Sequence, residues 1–202
     1  MHGMEPHWIE QLLGGELQTL TIEPDGEVRA DQPPQGVILS GAFNPLHDGH
    51  KGLAAAGAQL SGLPASFELA VVNADKGALE PPEILRRAAQ FSGWTTLTLS
   101  RAPLFSQKAA LYPGRYFVLG YDTAARMLDP RYYGGVAGMN AALDTIAAHG
   151  CRLLVAGRLV DGRFHTLADL APPPEYAHLF IAIPEALFRA DISSTELRKR
   201  NI

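Results

Sequence analysis

Residues 37–50 read VILSGAFNPLHDGH, and a run rich in alanine, glycine and leucine, Gly49 to Leu60, follows at once. Val37 to Ser40 is a short apolar strand, Gly41 and Pro45 interrupt it, and the run beyond has the length and composition of a helix. A strand that turns directly into a helix opens a βαβ unit, so this stretch decides the class: an α/β chain built on a parallel sheet.

The rest of the chain repeats the alternation. Strands are expected at Phe67 to Val72, Thr96 to Leu99, Tyr116 to Leu119, Arg152 to Ala156 and Leu179 to Ile183. Most are near-continuous apolar runs, as strands buried on both faces should be. Helices are expected at Pro82 to Phe91, Ser106 to Leu111, Thr123 to Leu128, Val136 to His149 and Ser194 to Lys199. The first 35 residues differ, with a short helix at Pro6 to Leu13 and β-rich runs on either side of Asp25-Gly26, a hairpin signal. Pro33-Pro34 separate this piece from the first core strand, and it is too short to hold a core of its own. The expected organisation is one doubly wound domain, residues 36–202, with an N-terminal extension, residues 1–35, packed upon it. Ala171 to Pro174 is expected to be a loop.

Composition narrows the function classes. The chain has 202 residues, 47% hydrophobic and 19% charged, the values of a globular protein. The longest charge-free stretch, Gly52 to Phe67, is broken by glycine, serine and proline and cannot span a bilayer. The N-terminal residues have neither the basic flank nor the apolar segment of a secretory signal. A single cysteine, Cys151, opens an apolar run and is expected to be a buried thiol in a reducing compartment, which points to the cytoplasm. Residues 1–101 carry 6 basic and 12 acidic side chains, residues 102–202 carry 11 and 9, so the net charge of -4 splits as -6 and +2. No dense basic run precedes Arg198-Lys199-Arg200, which disfavours nucleic acid as a partner and leaves a small phosphorylated ligand open.

The turn after the first strand has the chemistry for such a ligand. It lies at the carboxyl edge of a parallel sheet, where doubly wound folds bind ligands. Gly41 leaves backbone accessible to a phosphate, and the free N–H groups of the helix that follows favour an anion. His47 and His50, three apart on that turn, share one space and can each donate to phosphate oxygens. A second anion cradle is expected at Asp191-Ile192-Ser193-Ser194-Thr195-Glu196-Leu197-Arg198, a helix start with several hydroxyls and an arginine one turn on.

Together these stretches resemble a known superfamily. Gly41, Phe43, Pro45, His47, Gly49 and His50 match the G-x-F-x-P-x-H-x-G-H signature of the HxGH nucleotidylyltransferases, and residues 192–198 resemble the ISSTxxR motif that grips the β- and γ-phosphates opposite HxGH. Gly120-Tyr121-Asp122 is similar to the G-x-D element, and Leu153 to Arg158 to the strand ending in arginine, of the nicotinate and nicotinamide mononucleotide adenylyltransferases. Asn44 is also of that group. The resemblance covers Val37 to Arg200 and implies a Rossmann-like fold. It also implies transfer of a nucleotidyl group, adenylyl from ATP first among them, to a phosphorylated acceptor, with magnesium held mainly through the nucleotide phosphates and without a dedicated protein metal site.

By the same resemblance His47, His50 and Arg198 are catalytic, and Gly41, Ala42, Phe43, Gly49, Ser193, Ser194 and Thr195 bind the nucleotide. Asn73, Lys76, Arg86, Asp122 and Arg158 are the candidates for the acceptor, with Arg87 beside Arg86 as an alternative. The loop Val71 to Lys76 fits no familiar acceptor loop, so pyridine mononucleotides, another phosphorylated small molecule and use of CTP all stay open. The competing class is a nucleotide sensor without turnover. No membrane partner is expected, and the resemblance leaves room for a homo-oligomer.

Overall fold

The computed structural model describes residues 6–73, 77–160 and 162–189. In chain order the elements are α1 (Pro6–Gly14), β1 (Thr19–Ile22), β2 (Val28–Ala30), β3 (Val37–Ser40), α2 (Asp48–Ser61), β4 (Ala65–Ala70), β5 (Val72–Asn73), β6 (Gly77–Ala78), α3 (Pro81–Ala88), β7 (Leu97–Ser100), α4 (Phe105–Leu111), β8 (Tyr116–Gly120), α5 (Tyr121–Met127), α6 (Val136–Ala148), β9 (Arg152–Ala156), β10 (Arg158–Val160), β11 (Arg163–His165), α7 (Leu167–Leu170) and β12 (Phe180–Ile183).

Eight strands form one sheet in the order β12-β9-β8-β3-β4-β7-β1-β2. From β12 to β7 every pairing is parallel. Counted along the chain, these parallel strands lie in the order third, second, first, fourth, fifth, sixth, read from β7 to β12. That is the doubly wound, Rossmann-like order, and its reversal falls between β3 and β8. One core packs α1, α2 and α3 on one face through Leu12, Leu53 and Ile84. The other, with Met127, Leu143 and Ile146, lies under α4, α5 and α6.

Helix α2 approaches the sheet at a glycine. A Cβ on Gly57 would lie 2.5 Å from the Val118 side chain and 3.2 Å from that of Val37, so only hydrogen fits between helix and strands. Cys151 is fully buried, and burial raises its thiol above the usual range, which suits an inert core residue.

The N-terminal residues add to the sheet itself. Strand β1 pairs antiparallel with β7, and β2 with β1 around a turn at Gly26, whose φ is +93°. Arg101 donates to the carbonyls of Leu12 and Leu13, closing the end of α1 against the sheet. Because β2 ends level with Leu99, near the carboxyl end of β7, while β3 begins four places along the sheet at the amino end of the parallel strands, residues 31–36 must run diagonally across one sheet face. That face is polar. In register lie Thr21, Thr98 and Glu68 in one row and Thr19 with Ser100 in the next, all buried. The alternating rows, Leu20 with Leu99 and Leu69, and Ile22 with Leu97 and Phe67, face the apolar core on the other side.

This half-sheet therefore departs from the expectation of strands apolar on both faces. An irregular segment crossing a sheet brings backbone groups that need partners, and Thr21 Oγ1 donates to the Gln32 carbonyl at 3.0 Å. Other differences are local. Strand β4 runs two residues ahead of its expected span, because Val72 and Asn73 belong to a separate hairpin with Gly77 and Ala78. The hairpin β10–β11 and helix α7 are additional, and a 3₁₀ turn, Pro174–Leu179, begins at the end of the expected loop.

Candidate active site

The turn between β3 and α2 sits beside the reversal of strand order, where the chains leaving β3 and β8 part to opposite sides and open a crevice. His47 is the N-cap of α2, with extended backbone, and His50 lies one turn on. Their rings stack with centroids 3.7 Å apart. The His47 backbone N–H donates to His50 Nδ1 at 3.3 Å, and the His50 N–H donates to the His47 carbonyl at 2.9 Å. An accepting Nδ1 carries no proton, so neutral His50 holds its proton on Nε2. Burial, and then the charge of His47, lower the His50 pKa from 6.5 to about 4. At neutral pH His50 is an uncharged donor.

Two glycines make room for rings. A Cβ on Gly49 would come within 3.0 Å of His47 Nδ1. At Gly41 the missing Cβ accommodates Phe43, whose ring would lie 2.7 Å away, so packing gives this glycine a reason besides phosphate access. Phe43 takes φ of +45°, a conformation unusual for a bulky residue. It is held there because its buried ring meets the rings of His50, Phe67 and Phe91 edge-on, with centroids 5.1 to 5.6 Å apart.

The turn is also tied to α3 and the 3₁₀ turn after it. Arg87 donates to the Ala42 carbonyl at 2.9 Å and Arg86 to Asn44 Oδ1 at 2.6 Å. Gln90 Nε2 donates to the Phe43 carbonyl at 2.9 Å, while Gln90 Oε1 accepts from the Leu46 N–H at 2.8 Å. Glu83 anchors both arginines, and their hydrogen bonds hold its carboxyl down to about 2. Gln90 and Glu83 were not among the residues singled out from sequence.

A cleft of about 470 Å³ opens over the carboxyl ends of β3 and β4 and is bordered by α4 and α5. Ser40, Gly41, Ala42, Asn73, Arg87 and Arg126 contribute to its lining. Its floor holds a buried ion pair: Lys108 Nζ donates to both Glu68 oxygens, at 2.8 and 2.7 Å, and to the Ala102 carbonyl at 2.7 Å. Ser100 donates to the same carboxylate. Glu68 carried a legible signal, since a lone acid inside the apolar run SFELAVV must be buried and paired.

The remaining candidates divide. Asn73 lines the cleft with Gly41 and Ala42. Arg86 is half exposed and engaged by Glu83 and Asn44. Asp122 and Arg158 bind each other, joining the start of α5 to the β10–β11 hairpin, and neither contributes to the cleft lining, although Thr123 does. Lys76, Ser193, Ser194, Thr195 and Arg198 lie outside the described residues. Near the end of the last described segment, the Phe188 ring reaches within 3.1 Å of the place a Cβ on Gly52 of α2 would take.

No family model matches the sequence, and no curated protein matches it. Among the described residues no group of three or more His, Cys, Asp or Glu could hold a metal ion, and no helix is long and apolar enough to cross a membrane.

Proposed function

We propose that the protein is a nucleotidyltransferase that moves a nucleotidyl group, adenylyl from ATP in the first instance, onto a small phosphorylated acceptor. The observation that carries this reading is the stacked His47–His50 pair on the N-terminal turn of α2, beside the strand-order reversal of a doubly wound sheet. Free N–H groups of a helix start and two imidazoles on one turn suit a polyphosphate.

In the reaction an acceptor phosphate oxygen attacks the α-phosphorus, a new P–O bond forms, the bond to the bridging oxygen breaks, and pyrophosphate leaves. An acceptor phosphate is already anionic near pH 7, so the chain has to position it and stabilise charge. His50 Nε2–H is the donor for an oxygen on the α-phosphorus, where charge develops, and His47 and the α2 N–H groups support the adjoining phosphates. The serine-threonine motif at residues 193–195 and Arg198 are assigned to the leaving pyrophosphate on sequence alone. Magnesium, bound to the triphosphate, would neutralise part of its charge, and no residue of the chain is assigned to hold it. The cleft lined by Asn73, Arg87 and Arg126 is the seat for the acceptor, since it shares Gly41 and Ala42 with the histidine turn.

The test is a pyrophosphate-release screen that crosses the four common nucleoside triphosphates with pyridine mononucleotides, phosphopantetheine and sugar or polyol phosphates. Release must need both substrates, and His50→Ala must lower turnover by roughly 10²–10³-fold while the protein stays folded, as loss of a transition-state donor does. ATP binding without release in any combination would leave a nucleotide sensor and refute the transferase.

A further inference from the structure

Most polar groups of a turn can turn to water, yet residues 42–46 turn to one neighbouring element. The Ala42 and Phe43 carbonyls, Asn44 Oδ1 and the Leu46 N–H are all engaged by side chains of α3 and the turn after it. Arg86 and Arg87 each reach one of these groups from ion pairs with Glu83. Gln90 alone reaches two, one on each side of Asn44-Pro45. Its amide is fixed further by donation to the Arg87 carbonyl at 3.1 Å, and Trp94 Nε1 donates to the Gln90 carbonyl at 2.9 Å.

The consequence runs along consecutive amides. The Leu46 N–H points to Gln90 Oε1 and the next N–H, of His47, points to His50 Nδ1. Two successive peptide planes are thereby set, one by a glutamine from another element and one by the imidazole itself. We propose that Gln90 is a positioning residue: by bridging Phe43 and Leu46 it holds the peptide planes that orient His50 against His47. The geometry stands by itself. What is being positioned, a hydrogen-bond donor to the α-phosphate, rests on the function proposed above.

The experiment follows the His50 ring by NMR in the ligand-free full chain. In the wild type, nitrogen shifts should report the Nε2–H tautomer and the ring should titrate at about 4. In Gln90→Met, which keeps length and loses both hydrogen bonds, both tautomers appear and the titration rises toward 6.5. Gln90→Glu retains an acceptor for Leu46 and restores the Nε2–H tautomer. Ile146→Val, in the core on the other sheet face, supplies a destabilised control that leaves the ring unchanged. An unaltered tautomer and titration in folded Gln90→Met overturns the proposal, as does an equal change in the Ile146 control. Because no nucleotide is present, a ring that shifts as expected in a protein that never releases pyrophosphate upholds the positioning role and refutes the transferase alone.

Discussion

Replacing Lys108 by methionine separates the energetics of the cleft floor from its shape. The side chain keeps most of its length and its apolar stem, but Glu68, fully buried, loses the ammonium that contacts both its oxygens. Among the described residues only the Ser100 hydroxyl remains on the carboxylate, and the Ala102 carbonyl loses the Lys108 ammonium. Breaking a buried pair from one side costs about 3–5 kcal/mol, because an uncompensated charge stays behind. Against a total stability of about 5–15 kcal/mol that is a large fraction, and for a chain of this size it lowers the melting temperature by about 6–20 °C. Glu68→Leu should cost a comparable amount by stranding the ammonium. The double variant Glu68→Leu with Lys108→Met removes both charges, and its loss should be well below the sum of the two single losses. It still leaves Ser100 and Ala102 wanting partners at about 1–3 kcal/mol each. Urea denaturation of the four proteins at pH 7 gives the cycle. A Lys108→Met loss under about 1 kcal/mol, or a double variant as unstable as the two singles together, would refute the view that charge compensation holds this pair in place.

His50 gives a pH signature. Its pKa falls from 6.5 in the unfolded chain to about 4 in the fold, so between these values the unfolded state binds more protons. The stability contributed by neutral His50 is complete above 6.5 and is lost as pH drops toward 4. Denaturant midpoints of wild type minus those of His50→Phe should fall across that window by the equivalent of about 1–3 kcal/mol after solvent screening, and parallel curves would show that His50 is not desolvated. At the α2–sheet contact, Gly57→Ala gains about 1 kcal/mol of helix propensity but drives a methyl into Val118 at a cost of about 1–3 kcal/mol, so net destabilisation is expected. Adding Val118→Ala should recover part of it in the same melts, and strict additivity would mean that the two residues do not compete for space.

What could be read from sequence follows the range of the interactions. The strand-turn-helix at 37–61 was legible because each signal is local: an apolar run, breakers at Gly41 and Pro45, then a helix-forming stretch. The Asp25-Gly26 hairpin was legible for the same reason. Its docking onto β7 was not, since Thr21 meets Thr98 across 77 residues and no short-range pattern encodes that partner. The hairpin at 158–165 did carry a turn signal, Asp161-Gly162, but its three-residue strands are too short for an alternation to register. Arg86 resembled a cation waiting for a ligand, yet it binds Asn44 and Glu83, a use that appears only once α3 lies over the turn.

The polar half-sheet explains why the cleft has the character it has. Strands between two layers of helices can be apolar throughout, but on the polar face of this half-sheet Thr21 of β1 meets the crossing segment 31–36 and Glu68 of β4 meets Lys108 of α4. Alternation in TLTI, SFEL and LTLS is the sequence form of that asymmetry. It also makes Glu68 tolerable, because the row it belongs to already carries Thr98 and Thr21. Where that polar face runs out under α4, the Glu68–Lys108 pair forms the cleft floor while Phe105 and Met127 line it from the two helices above. The N-terminal residues, which carry none of the candidate catalytic groups, thus shape the site indirectly. By entering the sheet and then crossing it, they require a polar face, and that face supplies the charged floor beside the histidine turn.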